Sequence, residues 1–101
     1  SMKITTDAII DALLCKKRMK KKEEKGKISI FRHYYDRPNQ AAIYITEDNM
    51  VTIDVDNDNI DITRYKDDYA YEYVKTDSID SAVDHLTYFI TNGELRDGEA
   101  I

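Results

Sequence analysis

The fold is decided by residues 41–75, which read AAIYITEDNMVTIDVDNDNIDITRYKDDYAYEYVK. Apolar and polar residues alternate through this stretch, and short acidic segments interrupt the alternation at intervals typical of hairpin turns. The pattern predicts three successive β-hairpin connections within one antiparallel sheet.

The alternation also predicts how the first strands pair. A turn at residues 47–49 would place Ile43 opposite Ile53, and a turn at residues 57–58 would place Ile53 opposite Ile62. In this register every pair on one face is apolar. Since side chains alternate between the two faces, a slip of one residue would move all of them to the other face.

The third connection, near residues 66–67, can form in two ways. A loop of two or four residues places Tyr69, Tyr71 and Tyr73 on the core side, whereas a loop of three residues places them outside. We favour the first arrangement, because the second would bury the Glu72 carboxylate.

The segments on either side of this stretch predict a helix at each end of the chain. A helix is expected over residues 5–25, and a second over residues 78–91, where apolar residues recur at three- and four-residue steps. The sheet should occupy residues 27–75, and the polar tail 95–101 should be frayed. The predicted fold is therefore a single α+β domain (residues 1–101), an antiparallel β-meander of four to five strands with the N-terminal and C-terminal helices packed on one face.

Charge is divided unequally along the chain. Residues 1–37 carry a balance of +6 and residues 38–101 a balance of −11, within a net charge of −5. This asymmetry indicates a charged partner, or two regions with opposite preferences. No apolar run approaches the roughly 20 residues of a membrane span, nothing resembles a signal peptide, and Cys15 has no second cysteine to pair with. We therefore expect a cytoplasmic protein.

The outward face of the predicted sheet is acidic. Asp54 should lie opposite Asp61, and Asp61 opposite Glu72, which gives three carboxylates in a row across three strands. Like charges in such positions repel, so the arrangement indicates a cationic partner, with a merely solvated surface as the alternative. The candidate partner-binding residues are Asp54, Asp56, Asp58, Asp61 and Glu72, with Tyr44 and Tyr65 as amphipathic anchors.

Residues 54–59, DVDNDN, have the same D-x-D-x-D spacing as the opening of an EF-hand loop. The sixth position is Asn59 instead of glycine, and the twelfth is Tyr65 instead of glutamate. A tight hairpin turn explains the same residues. We therefore expect neither a metal site nor a cofactor.

A basic run at residues 16–27 offers a different function. Eight of its twelve residues are Lys or Arg, and such clusters neutralise the phosphates of DNA or RNA. A solvated helix face is the commoner explanation. The alternative nucleic-acid-binding residues are Lys16, Lys17, Arg18, Lys20, Lys21 and Lys22.

The chain carries no recognisable catalytic motif. It has no glycine-rich phosphate loop, no H-E-x-x-H and no paired C-x-x-C. Cys15, His33 and His85 lack a motif that would mark a nucleophile and its base. We therefore predict a non-enzymatic interaction protein, and the alternative is a small nucleic-acid-binding regulator that uses residues 16–27.

In its size, its acidic tyrosine-bearing sheet and its helix–sheet–helix order, the chain resembles the small acidic anti-CRISPR inhibitor proteins of phages and prophages. Some of those proteins imitate nucleic acid by presenting carboxylates to a cationic DNA-binding site. The resemblance implies binding to a basic surface of a bacterial effector such as a CRISPR nuclease. The basic N-terminal segment departs from a pure nucleic-acid mimic.

Overall fold

The computed structural model describes residues 3–16, 30–34 and 37–101, which form a two-layer α+β fold. One layer is an antiparallel sheet in which the strands follow one another in chain order. The elements are α1 (Thr6–Leu14), β1 (Ile30–Tyr34), β2 (Arg37–Thr46), β3 (Asn49–Asp56), β4 (Asn59–Lys66), β5 (Tyr69–Thr76), α2 (Ile79–Asn92) and β6 (Glu99–Ala100). The predicted antiparallel meander with a helix at each end is confirmed.

Both helices begin at a side-chain cap. The Thr5 hydroxyl accepts a hydrogen bond from the Ala8 amide, and the Ser78 hydroxyl accepts one from the Ser81 amide, each at 3.0 Å. At the other end of α2, Gly93 adopts a left-handed conformation (φ 78°) that suits glycine. Neither described helix is long and apolar enough to span a membrane.

The first helix is shorter than the predicted span of residues 5–25. Helix α1 ends at Leu14 and is capped by Cys15, which is where the apolar stripe of the sequence ends. Packing of an amphipathic face supplies most of the stability of a helix in a protein, so α1 ends where its apolar stripe ends. Residues 17–25 of the predicted helix lie outside the described residues.

The two helices cover the same face of the sheet and form the core with it. Helix α1 contacts α2, β2 and β3. The buried apolar residues of the core cluster are Ile4, Ile9, Leu13, Ile43, Val51, Ile53, Val55, Ile60, Ile62, Val74, Ala82, Val83, Leu86, Phe89, Ile90 and Leu95. We call the opposite side of β2–β5 the outward face.

The first hairpin has the predicted faces but a different register. Ile43 pairs with Val51 instead of Ile53, and a bulge between Tyr44 and Thr46 absorbs the difference. The shift is by two residues, so each side chain keeps the face that the alternation assigned to it. In the second hairpin the predicted pair of Ile53 and Ile62 is confirmed.

The third hairpin reverses the predicted faces of β5 from Glu72 onward. Its register shifts between Arg64 and Tyr65, so that Glu72 pairs with Arg64, and an inserted residue exchanges the two faces of a strand. Tyr69 and Tyr71 are 78% and 53% exposed, and Tyr73 pairs with Thr63 of the outward face, so these three tyrosines do not lie in the core as predicted. Glu72 instead lies on the core side, where Arg64 compensates its charge.

The tail also differs from the frayed segment that the sequence predicted. Leu95 is buried in the core, and β6 pairs with β5 through the register pairs Glu72–Ala100 and Tyr73–Glu99. The Leu95 amide donates to the Glu72 carboxylate at 3.0 Å. One apolar anchor and one short strand thus hold a segment that polarity alone marks as unfolded.

Candidate protein-interaction surface

The outward face carries a groove of about 500 Å³. The described helices pack on the other side of the sheet, so the floor of this groove is the sheet itself. Its lining consists of Gln40, Tyr44, Glu47, Met50, Thr52, Ile53, Asp54, Asp61, Thr63, Tyr65, Asp67 and Asp68. Four of the predicted partner-binding residues therefore lie together, namely Tyr44, Asp54, Asp61 and Tyr65.

Strand register orders the groove into three rows that run across the strands. The Tyr–Met row consists of Tyr44, Met50 and Tyr65. Thr52 and Thr63 form the middle row, and Gln40, Asp54 and Asp61 form the acidic row. Residues two apart on a strand are separated by roughly 7 Å. The Tyr–Met row therefore lies roughly 14 Å from the acidic row.

The acidic row is less repulsive than the sequence predicted. Asp54 lies opposite Asp61 as expected, but the residue opposite Asp61 on β5 is Lys75, not Glu72. On the other side, the Gln40 amide donates to Asp54 Oδ2 at 3.0 Å. Instead of the predicted row of three carboxylates, the structure has two, with the Gln40 amide on one side and Lys75 on the other. The bulge in β5 causes the difference, because it exchanged the faces of that strand.

A second group of carboxylates lies beyond the Tyr–Met row, where two turns meet. We call Glu47, Asp48, Asp67 and Asp68 the acidic rim; all four are exposed. The Asp67 amide donates to the Asp48 carbonyl at 2.7 Å, which joins the two turns. The Thr46 hydroxyl donates to the Asp48 carboxylate at 2.9 Å.

Sequence reasoning missed the acidic rim as part of the site. The signal was present, because alternate turns of an antiparallel meander lie at the same end of the sheet. The turns at residues 47–48 and 67–68 are both acidic in sequence. Combining connectivity with turn composition would have placed four carboxylates beside Tyr65.

Glu72 does not belong to this surface, and its prediction as a partner-binding residue is wrong. Its carboxylate lies 2.7 Å from Arg64 Nη1, and the two side chains are only 12% and 9% exposed. Arg64 Nε also donates to Asn49 Oδ1 at 3.0 Å, and the Asn49 amide donates to the Gly93 carbonyl at 2.9 Å. This network joins the sheet to the end of α2, which is a structural role.

Asp56 and Asp58 lie outside the groove, at the turn between β3 and β4. Asn57 adopts φ 56° there, as a tight hairpin turn requires, so the EF-hand-like spacing is that of a β-turn. Asp56 and Asp61 line a neighbouring depression together with Lys75. Among the described residues, no group of three or more His, Cys, Asp or Glu side chains is arranged to hold a metal ion.

Of the six candidate nucleic-acid-binding residues, the structure describes only Lys16. Lys16 Nζ lies 3.0 Å from Asp84 Oδ1 on α2, and both side chains are largely exposed. A surface pair of this kind contributes at most about 1 kcal/mol to stability. The other candidates of this surface, Lys17, Arg18, Lys20, Lys21 and Lys22, lie outside the described residues.

The groove carboxylates have no described cation within ion-pair distance. In the part of the chain that the structure describes, the ion pairs within 4.0 Å are Lys16–Asp84 and Arg64–Glu72. Asp54, Asp61 and the acidic rim belong to neither pair. Within the described part of the chain, their negative charge is therefore not offset by an ion pair.

Comparison with known proteins identifies no relative. No protein-family model matches the chain, and searches of curated proteins and of solved structures found no match.

Proposed function

We propose that this protein is a non-enzymatic interaction protein that binds a basic surface of another protein through its outward face. The observation that carries the proposal is the groove, with carboxylates at both ends, the Tyr–Met row between them and no described cation paired with those carboxylates. Tyrosine and methionine are enriched in protein interfaces, and a polar rim around such anchors is typical of an interface.

The groove geometry supports a partner with separated cationic groups. Asp61 and Asp67 are six residues apart in sequence, at the acidic row and the acidic rim, which corresponds to roughly 20 Å along a strand. A groove lined with Arg and Lys, as in a nucleic-acid-binding site, presents cations over such a length. Complementary charge of this kind increases the association rate and the specificity of binding.

The class of partner is a nucleic-acid-binding bacterial effector, such as a CRISPR nuclease. The resemblance to small acidic inhibitors of phages and other mobile elements supports this class, and inhibition in the cytoplasm of the host is the corresponding function. The carboxylates of the outward face would occupy sites that otherwise bind phosphates. This protein would then act as an inhibitor by competing with nucleic acid.

The test measures binding to a purified CRISPR nuclease, with and without its bound DNA, at two salt concentrations. We expect binding to the free nuclease, exclusion by DNA and slower association at high salt, because salt screens exposed charges. The test variant is Asp54→Asn/Asp61→Asn, which removes two charges from the groove. The matched control is Asp11→Asn/Glu94→Gln, which removes two exposed charges away from it.

Weaker binding in the groove variant, with wild-type binding in the control, supports the outward face as the working surface. Equal binding by both variants would contradict it. Retention of mixed DNA and RNA by the wild type, lost in Lys20→Gln/Lys21→Gln/Lys22→Gln, would instead support the nucleic-acid-binding alternative. One set of proteins therefore separates the two functional classes.

A further inference from the structure

We infer that the groove selects arginine over lysine in the basic segment that it binds, with a guanidinium group stacked on the Tyr65 ring. The inference depends on the proposed function, since it specifies the chemistry of the partner. It assigns Tyr65 a role in specificity that charge alone would not require.

The position of Tyr65 supports this role. Tyr65 is half-buried, lies opposite Met50 and lines the groove. Asp67 and Asp68 follow it by two and three residues, so the acidic rim begins roughly 7 Å further along the sheet. A planar cation on the Tyr65 ring would therefore lie next to carboxylate acceptors. The guanidinium group combines stacking on an aromatic face with paired hydrogen bonds to a carboxylate, and an ammonium group does not.

The protein contains the same combination of groups within its own fold. The guanidinium carbon of Arg64 lies 4.8 Å from the centre of the Tyr71 ring, while Nη1 lies 2.7 Å from the Glu72 carboxylate. Lys66 approaches the same ring less closely, with its Nζ at 5.8 Å. An arginine thus contacts a tyrosine and a carboxylate at the same time. On the outward face, Tyr65 offers an aromatic ring and the acidic rim offers carboxylates for the same two contacts.

Charge argues for an external arginine-bearing segment as the occupant. A second copy of the chain would bring the same carboxylates against the groove, and like charges at close range are unfavourable. The basic run of the chain itself, residues 16–27, holds seven lysines and one arginine. That composition suits an arginine-selective groove poorly. We therefore assign the groove to an arginine-bearing segment of a partner protein.

The experiment titrates the full chain with two labelled synthetic peptides of equal length and charge. One alternates Arg with Ser, and the other alternates Lys with Ser. Fluorescence anisotropy should show about fivefold tighter binding of the arginine peptide, because a guanidinium group can stack on the ring and pair with a carboxylate at the same time. Tyr65→Leu should bring the affinity ratio to about one by removing the ring, and Tyr65→Phe should preserve most of it. Tyr69→Leu is the control, because Tyr69 is 78% exposed and does not line the groove.

The wild-type ratio decides the inference without any variant, so a poorly folding Tyr65→Leu protein would not remove the test. Equal affinity for the two peptides overturns the arginine preference. If the two peptides bind the wild type equally and both bind Asp54→Asn/Asp61→Asn more weakly, the proposed function stands without the arginine preference. Failure of the wild type to bind either peptide overturns both proposals. The assignment to Tyr65 is also contradicted if the affinity ratio of the arginine peptide to the lysine peptide is lost in Tyr69→Leu and kept in Tyr65→Leu.

Discussion

Glu72→Gln should strongly destabilise the protein, although the sequence placed Glu72 on a solvated binding face. The glutamine keeps the size of the side chain and an oxygen acceptor for the Leu95 amide. It removes the charge that compensates Arg64, whose side chain is only 9% exposed. Because Glu72 Oε2 accepts from both Arg64 Nη1 and the Leu95 amide, the glutamine oxygen can keep both hydrogen bonds, but the guanidinium charge would remain buried without a compensating anion.

The magnitude follows from the burial of the pair. Removing one partner of a buried ion pair costs about 3–5 kcal/mol, because the other charge is left uncompensated. A domain of 101 residues has a free energy of unfolding of about 5–15 kcal/mol, so the loss is a large part of the total. The corresponding fall in melting temperature is at least about 12 °C.

Urea denaturation followed by far-ultraviolet circular dichroism measures this loss directly. Asp61→Asn is the matched control, because it removes one carboxylate from the outward face and should change stability by no more than about 0.5 kcal/mol. In the double variant Arg64→Met/Glu72→Met, stability should recover relative to Glu72→Gln, since replacing a whole buried pair by apolar residues is often neutral. An unchanged denaturation midpoint for Glu72→Gln would refute the buried pair and, with it, the assigned register of β5.

Two further predictions concern the core and the C-terminal strand. Leu86→Asp should abolish cooperative thermal unfolding, because Leu86 is fully buried on α2 and an unpaired charge there has no compensation; Thr91→Asp on the exposed side of α2 should still melt cooperatively. The hydrogen bond from Tyr73 to the Glu99 carboxylate (2.7 Å), together with the negative charge of Glu99, raises the pKa of Tyr73 above its usual value. The stabilisation of β6 by this hydrogen bond should therefore be complete below the unfolded-state tyrosine pKa of about 10. It should be lost as the pH rises through the raised pKa of Tyr73 in the folded protein. An ultraviolet titration should resolve this late tyrosine in the wild type, and a titration of Glu99→Gln that still shows it would contradict the assignment.

The sequence predicts the second hairpin well because two signals agree there. Alternation places Ile53 and Ile62 on one face, and the Asn57–Asp58 turn fixes the loop length, so Asp54 must lie opposite Asp61. The structure confirms both pairs. The Asp54–Asp61 pair of the acidic row is therefore predictable from the sequence alone.

The third hairpin is not predictable in this way, because alternation does not reveal an inserted residue. The bulge beside Tyr65 exchanges the faces of β5 and moves Glu72 into the core. One clue was available, since Arg64 continues the inward positions of Ile60 and Ile62. A buried cation requires an anion, and that requirement would have reversed the preference for burying tyrosines instead of Glu72.

This exchange of faces also separates the residues that stabilise the fold from the residues of the proposed binding surface. Glu72, which the sequence placed among the surface carboxylates, is neutralised in the core by Arg64. The position opposite Asp61 is occupied by Lys75, which relieves the repulsion that three aligned carboxylates would cause. The remaining acidic residues of the groove lie at the surface and make few structural contacts. We therefore expect substitutions at Asp54, Asp61 and the acidic rim to affect binding to the proposed partner more than stability, while the ion pair beneath holds the sheet and the end of α2 together.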